Sequence, residues 1–291
     1  MILLLGNTGY VGEAFSNASY HPLFKKETLI PMSRKHLNYT NFRALRDFLS
    51  DAKISFVINA AGYTGKPNVD ACELHKGETI AGNVALPLTV AQACESAGIP
   101  CGHVSSGCIY TGSPDMYGYP ETAIPNFSFN NPNHSFYSGT KALAEDLLRN
   151  FEQVYIWRLR IPFDEHDSSR NYISKLLRYP KLLEAVNSVS HRGDFVHACL
   201  GLYDIRAPFG IYNITNPGAI TTSWVVKQIE KYIAPDKKFE FWKSEEEFYA
   251  NAAKTPRSNC VLDTRKLLKT QVKMRSAEDA IMSSLINWKP E

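Results

Sequence analysis

Short apolar runs alternate with longer stretches of helical period through the first half of the chain. Ile2–Leu5 reads as a strand, and a helical pattern opens at about Val11. Leu29–Met32 predicts a second strand, Phe42–Leu49 a helix, and Phe56–Ile58 a third strand. Thr79–Ala97 has few breakers and predicts one long helix with Gly98 as its stop. His103–Ser105 and Ile109–Tyr110 predict a further strand, Tyr137–Phe151 an amphipathic helix, and Val154–Leu159 a strand again. Beyond Pro162 the pattern loosens. Helical stretches at Tyr172–Tyr179, Phe195–Ile205 and Trp224–Ile233 are interrupted by Tyr212–Thr215 and the loop Asn216–Gly218.

Strand–helix alternation with short connections predicts an α/β fold, a Rossmann-like doubly wound parallel sheet with a smaller mixed C-terminal lobe. The expected division is a dinucleotide-binding domain over 1–161, with returns near 195–215, and a mainly substrate-binding lobe over 162–291. At 291 residues the chain is long enough for that plan, and 44% hydrophobic with 21% charged residues is a globular composition. A net charge of +3, with no concentrated basic block, argues against a nucleic-acid or anionic-membrane surface. The apolar opening Met1–Leu5 stops at Gly6, too short for a signal peptide or for the roughly 20 residues of a membrane helix. The expectation is a cytoplasmic protein, in the host cytoplasm if the chain is viral. The six cysteines show no CxxC spacing and the histidines no HxxxH or HExxH, so reduced thiols and no metal site are expected.

The first strand runs into Gly6-Asn7-Thr8-Gly9-Tyr10-Val11-Gly12. Glycines at these positions allow a tight turn, close backbone approach to a pyrophosphate and close packing of helix on strand. The second strand ends Met32-Ser33-Arg34 with no acid, where an acid would accept from a ribose 2′-hydroxyl. Arg34 suits a 2′-phosphate instead, which favours NADPH, with NADH as a substitute left open; the alternative is an ordinary surface arginine. Tyr137 and Lys141 stand four residues apart at the start of a helix and share a face. An ammonium beside a phenol is expected to lower its pKa from about 10. Ser106, at the end of a strand, can polarise a substrate carbonyl.

With Asn59-Ala60-Ala61-Gly62 after the third strand, these residues resemble the extended short-chain dehydrogenase/reductase family. The resemblance implies Ser106, Tyr137 and Lys141 as catalytic residues, Tyr137 giving a proton to a carbonyl oxygen. It extends the cofactor site to Ser33, Asn59, Ala60, Ala61, Tyr63, Asn83, Arg160 and Pro162. It sharpens on Gly65–Glu73, Ser106–Tyr110, Phe136–Ser138, Arg158–Pro162, Arg170–Lys175, Tyr212–Gly218 and Pro256–Asn259. In order, these look like the plant-type and giant-virus bifunctional 3,5-epimerase/4-reductases acting on UDP-4-keto-6-deoxyglucose, and more weakly like dTDP-4-ketorhamnose reductases. The resemblance implies a nucleotide-sugar substrate, UDP-linked, with UDP-β-L-rhamnose as product. Cys108, two residues after Ser106, would lie on the same side of a strand and serve as base at C3 and C5. Lys175 would return the proton.

Taken alone, Cys108 also reads as a buried small hydrophobe and Lys175 as an exposed helix position. Arg257 is the candidate for the diphosphate; Thr64, Lys66 and Asn68 line the mouth above the third strand, and Asn171 contacts sugar or phosphate. Phe127–Ser135 is longer than the plant-type pattern, so substrate contacts there do not transfer. Three other readings stay open: a 4-reductase alone, an epimerase-reductase on a dTDP- or GDP-linked sugar, and a non-catalytic NADP-binding regulatory subunit. A homodimer through helix faces is a further expectation.

Overall fold

The computed structural model describes residues 1–291. Every residue of β1 (Ile2–Leu5) is buried, as a strand covered on both faces requires. The chain then runs α1 (Tyr10–Ser16), β2 (Leu29–Met32), α2 (Phe42–Asp51) and β3 (Phe56–Asn59). Next come α3 (Ala71–Leu74), α4 (Lys76–Ile80), α5 (Leu86–Ser96), β4 (Cys101–Ser106), α6 (Phe136–Leu148) and β5 (Val154–Leu159). The remainder holds β6 (Pro162–Phe163), α7 (Tyr172–Arg178), β7 (Val186–Asn187), β8 (Ser190–His191), α8 (Arg192–Asp204), β9 (Gly210–Asn213) and β10 (Ile220–Thr221). It closes with α9 (Thr222–Tyr232), α10 (Glu245–Asn251), α11 (Arg265–Leu268) and α12 (Ala277–Ile286).

Six strands form one parallel sheet in the order β2-β1-β3-β4-β5-β9. One core, with Phe15, Trp157, Phe195 and Tyr212, fills the face under α1 and α8. A second, with Leu45, Val90 and Ile156, fills the face under α2 and α5. A third, with Phe163, Ile173, Val225 and Ile281, belongs to the C-terminal lobe. Strand order reverses at β1 and β3, so a crevice opens beyond their carboxyl ends, where ligands of open α/β sheets bind.

Two local expectations are corrected. The single helix predicted over Thr79–Ala97 is broken by a π-helical turn at Ala81–Ala85. Pro87 has no N–H to give to the carbonyl four residues back, so the ladder widens before α5 resumes. Ile109–Tyr110 is not strand. The Ser106 hydroxyl accepts from Cys108 N at 3.2 Å and caps a 3-10 turn over Gly107–Ile109, so Cys108 leaves the sheet altogether.

The helix α6 is clamped to the sheet by a buried pair. Arg158 on β5 donates through two nitrogens to the Glu145 carboxylate of α6, the closest contact being 2.7 Å, and Ser105 of β4 adds a bond of 2.5 Å. Glu145→Ala leaves this guanidinium buried without a counter-charge. The expected cost is about 3–5 kcal/mol, read as a lower midpoint in urea unfolding; an unchanged midpoint would show the clamp to be dispensable.

Candidate active site

Gly6 turns the chain at φ +79°, and a Cβ there would lie 2.5 Å from Ala61 N. At Gly12 a Cβ would lie 2.0 Å from Gly6 O, so only glycine lets α1 sit this close to the turn. No side chain caps the first amides of α1, and Asn7 Oδ1 is buried without a partner. Free amides on a cradle that a Cβ would fill suit a dinucleotide phosphate. Thr8 and Gly9 are exposed at the rim, and Val11 packs against the core. The Tyr10 ring turns away and lies under the Arg192 guanidinium, 3.8 Å from centroid to carbon. Arg34 is exposed on the turn after β2 and pairs with no carboxylate, while Ser33 bonds His36 at 2.8 Å.

Beyond β3, Asn59 is buried, its Oδ1 accepting from Ala61 N at 3.1 Å. Asn83 is also buried. It brackets Tyr63, accepting from its N and donating to its O at 2.8 Å each, and reaches Thr140 of α6 at 3.3 Å. The π-turn thus ties the loop after β3 to α6.

Ser106 ends β4 and Tyr137 lies in the first turn of α6, with the Ser106 hydroxyl near enough to the phenol to act on its ionisation. Burial pushes the Tyr137 phenol above its ordinary range, with Cys108 acting the same way. This corrects the expectation of a lowered value. The Lys141 ammonium end is directed to Val104 O at 3.0 Å and His103 at 3.4 Å, and burial brings its pKa down to about 8. A phenol held protonated is a ready proton donor.

Arg160 lies against Cys108: its Nη1 donates to Sγ at 3.0 Å. The same guanidinium is fixed by Asn187 Oδ1 at 2.7 Å and by Ser258 O. It therefore faces the thiol rather than the cofactor cradle. The next residue, Ile161, holds φ at +40°, strained for a β-branched side chain, and leads into Pro162 of β6. Lys175, on α7, is largely buried and paired with no carboxylate. Burial lowers its pKa, with Arg170 next, and Cys108 lies near enough to pull the other way. The structure thus brings Ser106, Cys108, Tyr137, Lys141, Arg160 and Lys175 to one place.

Other candidates fall differently. Asn171 is wholly buried as the cap of α7, accepting from Ile173 N and donating to Asp164 and His166 carbonyls at 2.8 and 2.7 Å. It has nothing left for a sugar. Arg257 forms a two-pronged pair with Asp70 at 2.6 and 2.8 Å. Lys66 is exposed, and Asn68 Oδ1 accepts from Asp70 N. Arg170, not singled out above although it stands in a quoted motif, donates to Thr64 Oγ1 at 2.9 Å and Gly65 O at 3.0 Å. Asp70 and His103 were also missed; a lone Asp in a loop and a lone His in a strand carry no signal of their own. In the loop Phe127–Ser135, the Phe129 ring packs where a Gly139 Cβ would stand, which moors the loop on α6.

The model of the family described as RmlD substrate binding domain matches residues 1–288. A bifunctional dTDP-4-dehydrorhamnose 3,5-epimerase/dTDP-4-dehydrorhamnose reductase of Arabidopsis thaliana is 36% identical over 240 residues, 80% of this chain and 77% of that protein. A trifunctional UDP-glucose 4,6-dehydratase/UDP-4-keto-6-deoxy-D-glucose 3,5-epimerase/UDP-4-keto-L-rhamnose-reductase of the same plant is 34% identical over 286 residues. Those residues are 96% of this chain but 41% of the longer relative. Among solved structures, the L780 UDP-rhamnose synthase of Acanthamoeba polyphaga mimivirus shares the fold with a TM-score of 0.87 at 24% identity, over 98% of each chain. No helix is long and apolar enough to cross a membrane.

Proposed function

The chain belongs to the RmlD substrate-binding-domain family, and from that premise we propose an NADPH-dependent enzyme that epimerises a nucleotide-linked 4-keto-6-deoxy sugar at C3 and C5 and reduces it at C4. The proposed substrate is UDP-4-keto-6-deoxyglucose and the product UDP-β-L-rhamnose. The observation that carries the double activity is the juxtaposition of two sets of groups. Cys108, against Arg160 at 3.0 Å, stands near Ser106 and Tyr137, with Lys175 in the same neighbourhood.

Protons at C3 and C5 are acidified by the C4 ketone between them. Cys108 removes each as thiolate, a charge that the Arg160 guanidinium counters. Lys175, desolvated and free of carboxylates, returns a proton to the other face of the ring. Ser106 holds the carbonyl oxygen by hydrogen bond throughout. The dinucleotide, when bound in the glycine cradle, supplies the hydride for C4. Tyr137 gives its phenolic proton to the oxygen, and Lys141 steadies the phenolate left behind. Arg34 would hold the 2′-phosphate and Arg170 the loop over the diphosphate. Arg257 would contact the diphosphate only by exchanging Asp70 for it.

Proton NMR of the protein with UDP-4-keto-6-deoxyglucose in deuterated water is the test. Deuterium should enter C3 and C5 before NADPH is added, and rhamnose signals should follow its addition. Reduction without exchange leaves a 4-reductase alone and returns Cys108 to the core.

A further inference from the structure

Asp70 spends its carboxylate away from its own helix. It stands just before α3, where an aspartate ordinarily accepts from the first amides, yet its side chain takes none of them. Both oxygens go instead to the Arg257 guanidinium, at 2.6 and 2.8 Å, from a segment 187 positions along the chain. The side chains are 18% and 23% exposed, so a ligand can reach the pair. Glu73, the other acid of α3, is already committed: its Oε1 accepts from Phe136 N at 2.7 Å and from Thr255 Oγ1 at 2.9 Å.

The charges around the pair do not balance. Arg170 gives its guanidinium to Thr64 Oγ1 and Gly65 O, both uncharged. Lys175 has no carboxylate, and Arg170 and Arg257 both lie near enough to act on its ionisation. Arg170, Lys175 and Arg257 are all at least partly buried, and they share one carboxylate, that of Asp70. Positive charge drawn out of water calls for an anion. A diphosphate brings a charge on each phosphate, and a guanidinium grips phosphate with the same two-pronged geometry as carboxylate. The exchange needs only a side chain to turn. Arg257 N donates to Tyr249 Oη at 3.0 Å, Ser258 Oγ donates to Tyr110 O, and Asp70 N donates to Asn68 Oδ1 at 2.8 Å. The backbone is thus held on both sides of the pair.

We infer that Asp70 is a specificity-determining residue: its carboxylate fills the phosphate subsite of Arg257 and yields it to a ligand that brings a diphosphate. The inference rests on the reading of the substrate as a nucleotide-diphosphate sugar. A neutral ligand gains nothing by displacing a carboxylate. For an anionic ligand, the affinity is lowered by the fraction of time that Arg257 spends with Asp70.

The test is isothermal titration calorimetry of the whole protein, saturated with NADP⁺ so that the glycine cradle is filled. The probes are UDP, inorganic pyrophosphate and uridine. Asp70→Asn keeps the size of the side chain and the backbone contact to Asn68 while removing the charge. It should tighten UDP and pyrophosphate by about 3–10-fold and leave uridine unmoved. Asp70→Ser, which also takes away most of the acceptor, should give the same sign. Arg257→Gln should weaken UDP, and Asp70→Asn added to it should bring no further gain. Unchanged or weaker UDP binding by both Asp70 variants overturns the inference. So does a gain that persists in full without Arg257, which would be a general effect of the lost charge. The proposed function fails by a different result. UDP bound no better than pyrophosphate by the unmodified protein would sink the nucleotide-sugar reading, and a pyrophosphate gain in Asp70→Asn would still uphold the subsite. Tight UDP binding indifferent to Asp70 would do the reverse.

Discussion

Tyr137→Phe should slow NADPH oxidation with the 4-keto sugar by about 10²–10⁴-fold, the usual contribution of a positioned general acid. The substitution removes one oxygen from a half-buried ring at the start of α6, and the helix keeps its own cap, the Ser135–Ser138 pair. Folding should be unaffected, and circular dichroism together with the urea midpoint checks this. The same variant should still exchange deuterium into C3 and C5, because Cys108, Arg160 and Lys175 are untouched. The split between the two readouts is the point of the experiment. A loss of both would mean that the phenol positions the substrate rather than reduces it. Rapid NADPH oxidation by the variant would remove Tyr137 as the acid.

The raised pKa of this phenol also bears on pH dependence. A group held above its ordinary value by burial stays protonated through neutral and mildly alkaline conditions. The donor form is therefore present at every pH where the protein is used, and titration of Tyr137 should set no limb of the reduction profile below its ordinary value of about 10.

The sheet was legible because its cues are local. Buried parallel strands read as apolar runs, the glycines follow β1 directly, and Tyr137 and Lys141 lie one helical turn apart. What escaped was long-range pairing. Arg160 meets Cys108 across 52 positions and Arg257 meets Asp70 across 187, and nothing in either segment names its partner. Asn171 misled for a related reason: a polar residue at the start of a helix can serve ligand or backbone equally well, and only the completed fold shows its amide consumed by the chain. Cys108 was placed beside Ser106 on a strand argument that fails, since the serine caps a turn there. It reaches the site nonetheless, because that turn leaves its sulfur under Arg160.

Cys108→Ala is the counterpart of the tyrosine variant. Five of the six thiols are buried and Cys108 is the partly exposed one, so no neighbour can substitute for it. Cys260, the other sulfur near Arg160, is closed in, donates to Gly107 O, and has its pKa raised by burial. The alanine variant should still bind NADPH, since the cradle after β1 is built without this residue. Exchange at C3 and C5 should fall by about 10²–10⁴-fold, the contribution of a general base, and rhamnose formation from UDP-4-keto-6-deoxyglucose should fall with it. Supplied instead with the already epimerised 4-keto sugar, the variant should reduce it, because Ser106, Tyr137 and Lys141 remain. Failure on both sugars with cofactor binding intact would make Cys108 a packing residue of the pocket. Full turnover of the unepimerised sugar would take Cys108 out of the mechanism and require the base to be sought elsewhere around the ring, with Lys175 the first to test.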